Sequence, residues 1–239
     1  MTTIDHNLQT VQARVRQACA DAGRAQGSVA LLAVSKTFGA DAVRAAALAG
    51  QRRFGENYIQ EAVDKMAQVA AMQLLGPLEW HCIGPVQSNK TRLVAEHFDW
   101  VHTVDRLKTA QRLSDQRPAH LPPLQVCIQV NVDGGATKAG VAPEDAGALA
   151  RAVAALPRLC LRGVMSIPDA LPAGPAQDAV MGRVRAVFDA VRALEGEGLG
   201  AVDTLSLGMT ADLEAAVRAG STLVRVGSGI FGERHYPAA

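Results

Sequence analysis

Hydrophobic positions fall into two rhythms along the chain. Leu8, Val11, Val15, Cys19 and Ala22 recur at spacings of three and four, which draws one apolar stripe and predicts an N-terminal helix. Residues 29–34 are instead a continuous apolar run bounded by turn signals, the pattern of a strand buried on both faces. Strand-like runs recur at 53–57, 78–83, 99–104, 124–132, 159–167, 204–207 and 222–226. The segments between them read as helices at 41–49, 58–71, 88–96, 107–117, 177–195 and 211–219. A further helix opens at Pro143-Glu144-Asp145, with proline in the first turn and acids where the helix dipole favours them. Gly50 and Gly220 are the expected helix stops, and Thr210 the expected cap of the last helix. Strict alternation of strand and helix calls for a parallel sheet, and eight units in 239 residues match a (β/α)8 TIM barrel. The expected unit is one domain spanning 1–239, with a helix ahead of the first strand. An open doubly wound sheet is the competitor, but no Gly-x-Gly-x-x-Gly follows the first strand.

Composition narrows the functional classes. Hydrophobic residues make up 49% and charged residues 20%, enough for a sizeable core. The net charge is +1 with both signs interspersed, which argues against a nucleic-acid partner. No apolar run reaches bilayer length, and the first residues lack a basic stretch followed by an apolar one, so neither a membrane span nor a secretory signal is expected. Cys19, Cys82, Cys127 and Cys160 have no paired or metal-type spacing, which fits a reduced, cytoplasmic protein.

A barrel gathers the C-terminal ends of its strands at one mouth. Here those ends supply Lys36, Asn57, His81, Asn131, Met165 with Ser166, Met209 with Thr210, and the stretch from Arg225 to Ser228. A lysine with apolar walls is easier to hold as the neutral amine, and a neutral amine can attack an aldehyde. The loops after strands seven and eight carry Thr210, Gly227 and Ser228, where barrels repeatedly bind phosphate on exposed amides. Amine and cradle together suit two ligands, a sugar phosphate cleaved by a Schiff-base aldolase or pyridoxal 5'-phosphate (PLP). Alternation puts Arg225 on the same side as Gly227, and a donor-only guanidinium there would keep a pyridine nitrogen unprotonated. The plainer alternatives are a solvated Lys36, a Thr210 that only caps, and an Arg225 paired with a carboxylate.

Seven stretches, in order, carry a resemblance: AVSKT around Lys36, FGENYIQE from Phe54, WHCIGPVQSNK from Trp80, IQVNV from Ile128, LRGVMSIP from Leu161, LSLGMTADLEAA from Leu205 and VRVGSGIFG from Val224. Together they make the chain similar to the pyridoxal phosphate homeostasis protein family, whose single domain is similar to the N-terminal barrel of alanine racemase. The resemblance implies a fold-type III barrel with PLP as a Schiff base on Lys36. It implies phosphate contacts from Ser206, Thr210, Gly227 and Ser228, with Arg225 at the pyridine nitrogen and Asn57 beside the ring. It further implies that His81 and Met165 line the pocket. Ser228 stands where the family usually has threonine, and the loop 133–140 is looser than the family's Ser-Lys-x-Gly.

The family role is cofactor buffering or delivery, with apo PLP enzymes as the implied recipients, without robust catalysis. A racemase is the rival reading, and an aldolase the more remote one. Two-base racemisation needs a second acid/base opposite the lysine, which alanine racemase takes from a tyrosine outside the barrel. The tyrosines here, Tyr58 and Tyr236, are not at predicted strand ends. The expectation is a monomeric, cytoplasmic, PLP-binding protein and no efficient racemase.

Overall fold

The computed structural model describes residues 2–74, 76–135 and 137–232. Its eight strands are β1 (Ala30–Val34), β2 (Arg53–Glu56), β3 (Glu79–Cys82), β4 (Trp100–Val104), β5 (Leu124–Gln129), β6 (Leu159–Met165), β7 (Thr204–Ser206) and β8 (Leu223–Val226). They form a closed barrel in sequence order, each strand parallel to the next. The ring closes between β1 and β8, where Ala30, Leu31, Leu32 and Ala33 face Leu223, Val224, Arg225 and Val226. This is the predicted TIM barrel.

The helices are α1 (Thr3–Asp21), α2 (Ala40–Leu48), α3 (Ile59–Ala71), α4 (Thr91–His97), α5 (Leu107–Gln116), α6 (Ala146–Ala154), α7 (Pro175–Arg192), α8 (Leu213–Arg218) and the short α9 (Ser228–Phe231). Thr2 caps α1 by accepting from the Asp5 amide. The buried stripe of α1, Leu8, Val11, Val15, Ala18 and Cys19, is the one its spacing predicts, and the helix packs on α8 and α9. No helix among the described residues is long and apolar enough to cross a membrane.

Most of the apolar core lies between sheet and helices, as in Phe54, Val101, Ile128, Leu161 and Leu205. A separate small cluster joins Trp100, Cys127 and Met165. Beside it His81, His102, Ser206 and Arg225 are buried. Hydrogen bonds from β4 to β7 can only cross the inside of the ring, so the interior of this barrel is partly polar. Gly163 sits at a register shift between β5 and β6 with φ +153°. A Cβ there would overlap the carbonyl oxygen of Thr204 on the neighbouring strand, so glycine is required.

Several boundaries differ from the pattern-based expectation, three of them for a visible local reason. The fifth strand stops at Gln129 rather than 132: Val130 N still donates to Met165 O (2.9 Å), but Val130 forms an isolated bridge with Val141 in place of a continued ladder. Helix α4 starts at Thr91, three residues late, after a turn closed by Lys90 N donating to Gln87 O. Helix α8 starts at Leu213, because the Met209 amide donates to the Asp212 carboxylate (2.5 Å) and folds 209–212 into a separate turn.

Candidate functional site

A cavity of about 330 Å³ opens at the C-terminal mouth of the barrel. Lys36, Asn57, Thr210, Arg225, Gly227 and Ser228 line it, with Val34, Phe38, Ile83, Ile167 and Met209 among its apolar walls. Six of the nine residues expected to form a site are thus brought together from the ends of four strands, β1, β2, β7 and β8.

Lys36 follows β1 after Ser35 and is half-buried. The chain turns sharply after it: Phe38 N donates to Ser35 O (3.1 Å), and Thr37 takes φ +69°. A threonine in the left-handed region is strained, and such strain clusters where a side chain must be aimed. Behind this turn lies a buried ion pair. Lys65 of α3 donates to Glu56 (2.7 Å) and to the Ser35 carbonyl (2.9 Å), and the Ser35 hydroxyl donates to Glu56 (2.6 Å). Burial pushes the Glu56 carboxyl up, against the opposing pull of Lys65 and Ser35. Because Ser35 and Glu56 directly precede Lys36 and Asn57, the pair clamps both site residues from behind. Asn57 has a buried Oδ1 without a hydrogen-bond partner. Gly84 allows its close packing, since a Cβ there would overlap the Asn57 backbone.

The opposite wall carries two hydroxyls. The hydroxyls of Ser228 and Thr210 lie 3.4 Å apart, joining the two loops expected to hold a phosphate. Gly227 lets β8 pass close to β1: a Cβ would sit 3.3 Å from the Val34 carbonyl oxygen. Helix α1 braces this wall from outside, with Arg14 donating to the Thr210 carbonyl (3.0 Å) and pairing with Glu214 (2.9 Å).

Arg225 forms the floor. Its guanidinium donates to the Ser206 carbonyl (2.7 Å), the Ser206 hydroxyl (2.7 Å) and the Ser166 carbonyl (2.9 Å). Burial lowers it to about 10, so it is still a cation at neutral pH. Three of five donors are used, which leaves two for a ligand.

Ser206, His81 and Met165 are placed differently from the expectation. All three are fully buried in the barrel interior and are not among the residues lining the cavity. Ser206 spends its hydroxyl on Arg225 and on His102 Nδ1 (2.9 Å) rather than facing the phosphate loops. His81 bonds His102 (2.9 Å) and Glu79 (2.8 Å), and Met165 packs on Trp100 and Cys127. Each lies at or just before the last position of its strand, where period-two alternation turns the side chain into the ring below the mouth. The sequence reading missed His102, Glu56 and Lys65. The available signal for Lys65 was its place in the apolar stripe Ile59, Ala62, Lys65, Val69 of α3.

A smaller lobe of about 300 Å³ adjoins the cavity and shares Asn57, Ile83 and Ile167 with it. Its far side carries Lys138, which pairs with Asp133 (2.5 Å) and Asp169 (2.7 Å) and so ties the loop after β5 to the loop after β6. Among the described residues no cluster of His, Cys, Asp and Glu could hold a metal ion.

The interior histidines have a measurable consequence. Burial lowers the His81 and His102 imidazoles, His102 furthest, where His81 and Arg225 add repulsion. The unfolded chain takes up protons near pH 6.5 that the folded one refuses, so stability is full above that pH and falls below it. Two such groups predict a slope of up to about 2.7 kcal/mol per pH unit below pH 6. Denaturant titrations at pH 8, 6 and 5 should show His102→Gln with roughly half the wild-type slope; an unaltered slope would contradict the assignment.

The profile of the family "Alanine racemase, N-terminal domain" matches residues 2–235. The pyridoxal phosphate homeostasis protein of Pseudomonas aeruginosa is 56% identical over 238 residues, covering 100% of this chain and 99% of the relative. That of Escherichia coli K12 is 50% identical over 236 residues, covering 99% of each. Among solved structures, PipY of Synechococcus elongatus PCC7942 with PLP bound is 34% identical, with a TM-score of 0.79 over 96% of this chain and 100% of that one. The alanine racemase of Corynebacterium glutamicum, at 17% identity and a TM-score of 0.63, shares the fold over 98% of this chain and 62% of its own. A closed eight-stranded barrel with its lysine, arginine and paired hydroxyls at one mouth, and full-length relatives at half identity, place the chain in the pyridoxal phosphate homeostasis protein family, within the alanine racemase N-terminal domain family.

Proposed function

We propose that this protein binds PLP covalently and reversibly through Lys36, and buffers or delivers the cofactor as a monomer without robust catalysis of its own. The observation that carries this reading is the cavity in which Lys36, Arg225 and the Thr210–Ser228 hydroxyl pair meet. The donor set fits the group. The hydroxyls, with the Ser228 and Gly229 amides that open α9, suit a phosphate. The orphaned Asn57 Oδ1 is a buried polar atom awaiting a partner, and a cavity of 330 Å³ is of the size that takes a small ligand.

PLP supplies an aldehyde that condenses reversibly with a primary amine. The protein's part is to aim the Lys36 amine, to hold the anion between the last two loops, and to offer Arg225 donors to an unprotonated ring nitrogen. A permanently charged donor at that position weakens the ring as an electron sink, which favours carriage over carbanion chemistry. Among the described residues that line the cavity the ionisable side chains are Lys36 and Arg225. Tyr58 is 49% exposed at the start of α3 and does not line the cavity. Tyr236 lies outside the described residues. Transfer of PLP to apo-enzymes is the route by which such a carrier would act.

Absorbance tests this directly. Purified protein titrated with PLP should develop a near-ultraviolet to violet band that borohydride traps on Lys36. Lys36→Ala should lose the band and bind PLP at least about tenfold more weakly. A variant that keeps both band and affinity would move the attachment elsewhere.

A further inference from the structure

A single file of hydrogen bonds runs through the barrel from one mouth toward the other. Arg225 donates to the Ser206 hydroxyl (2.7 Å), which meets His102 Nδ1 (2.9 Å). His102 Nε2 meets His81 Nδ1 (2.9 Å), and His81 Nε2 meets Glu79 (2.8 Å). Glu79 opens β3 and lines a broad depression at the N-terminal mouth, where it also accepts from Arg53 (3.0 Å). The far end of the file is therefore on the opposite face from the site.

Its two ends fix its direction. A guanidinium can only donate, and an ionised carboxylate can only accept. Glu79 is held ionised, down to about 2, chiefly by the hydrogen bond from His81. A neutral imidazole has one donor and one acceptor, and both histidines are buried where the charged form is disfavoured. Only one arrangement then satisfies every link. His81 carries its proton on Nε2 and donates to Glu79, so its bare Nδ1 must accept from His102 Nε2–H. The bare Nδ1 of His102 must accept from the Ser206 hydroxyl, whose oxygen is left to accept from Arg225. The rings are held for this: His81 stacks on Trp100 (5.2 Å, 12° between planes) and meets His102 edge-on (65°).

We propose that Glu79, His81 and His102 are positioning residues for Arg225, and that the Glu79 carboxylate at the opposite mouth sets the proton of each link so that Ser206 donates to His102 and accepts from the guanidinium alone. Removing that carboxylate lets His81 take the other tautomer. His102 would turn with it and donate to Ser206, whose oxygen would then accept from both His102 and Arg225, with its own proton no longer bonded within the file and its oxygen a weaker acceptor for the guanidinium. The cofactor effect rests on the PLP reading above; the proton order in the interior does not.

Two measurements separate them. Long-range 1H–15N spectra of histidine-labelled, cofactor-free protein should show both His81 and His102 protonated on Nε2 with Nδ1 bare. Glu79→Leu should populate the Nδ1–H form of His81, and Glu79→Gln, whose carbonyl can still accept, should keep the wild-type pattern. In PLP titrations Glu79→Leu should bind up to about tenfold more weakly and shift the bound absorption band, as a weakened anchor for the charged Arg225 guanidinium predicts, whereas Glu79→Gln stays within about twofold. Nδ1 protonation of either histidine in the wild type overturns the proposal, whether or not any variant folds. So does a folded Glu79→Leu with unchanged tautomers, or with changed tautomers but unchanged affinity and band. Failure of the wild type to bind PLP, with the tautomers as stated, would instead overturn the function proposed above.

Discussion

Lys65→Met is expected to lower the stability of the protein by about 3–5 kcal/mol, the usual result of leaving one half of a buried ion pair behind. Methionine fills much of the same space on α3, so the loss isolates the charge. Lys65 is 7% exposed and Glu56 1%. Glu56 Oε2 already lacks a partner, so the carboxylate depends on Lys65 and Ser35 at its other oxygen. The sign of the pH dependence gives a second check. Burial already pushes the Glu56 carboxyl up, and without Lys65 it rises further. A carboxyl whose folded value lies above its unfolded value binds its proton more readily when folded. The variant therefore loses stability as pH rises above about 4.5. Its deficit against wild type should be larger at pH 8 than at pH 5. Denaturant unfolding at both values measures this, and a deficit under about 1 kcal/mol would show the pair to be dispensable. Because Ser35 and Glu56 adjoin Lys36 and Asn57, PLP affinity should fall alongside.

Arg225→Leu is expected to damage folding and binding together. The leucine leaves the Ser166 carbonyl and both Ser206 oxygens without their guanidinium donor. At about 1–3 kcal/mol for each buried group left unpaired, a loss of roughly 3 kcal/mol in stability follows even after partial relaxation. The missing charged hydrogen bond to the ligand adds about 1.5–3 kcal/mol of lost binding, about ten- to a hundredfold in dissociation constant. Arg225→Lys keeps the charge but cannot span Ser206 and Ser166 with a planar fork, so it should recover only part of either loss. Thermal melting and PLP titration of the two variants distinguish the effects. Reduced stability with unchanged affinity would confine Arg225 to holding β6, β7 and β8 together.

Much of the barrel is legible in the chain because parallel strands covered on both faces leave long apolar runs. The runs at 29–34 and 124–132 mark β1 and β5 with only their ends misjudged. Ends are set by single hydrogen bonds, such as Asp212 capturing the Met209 amide, and no periodicity encodes those. The mouth residues Lys36, Thr210 and Ser228 are legible because a strand end is a place in the fold as well as in the sequence. Depth within the ring is not. Ser206 and His81 look like mouth residues on their strands, yet alternation and strand tilt set them one layer down. What they do there depends on His102, a partner two strands from Ser206's neighbour and far from it in the chain, which pattern reading cannot supply.

The seam between β1 and β8 bears on how the protein is made. A ribosome releases the lysine of the mouth early and the loops that face it nearly last. Until the final strand is added, the first has an open edge that could pair wrongly. If the cofactor is held as proposed, a nascent chain has the amine but no cradle, and so would not retain it. Capture of PLP during translation would therefore report the moment the ring shuts, and the vitamin would reward only finished molecules.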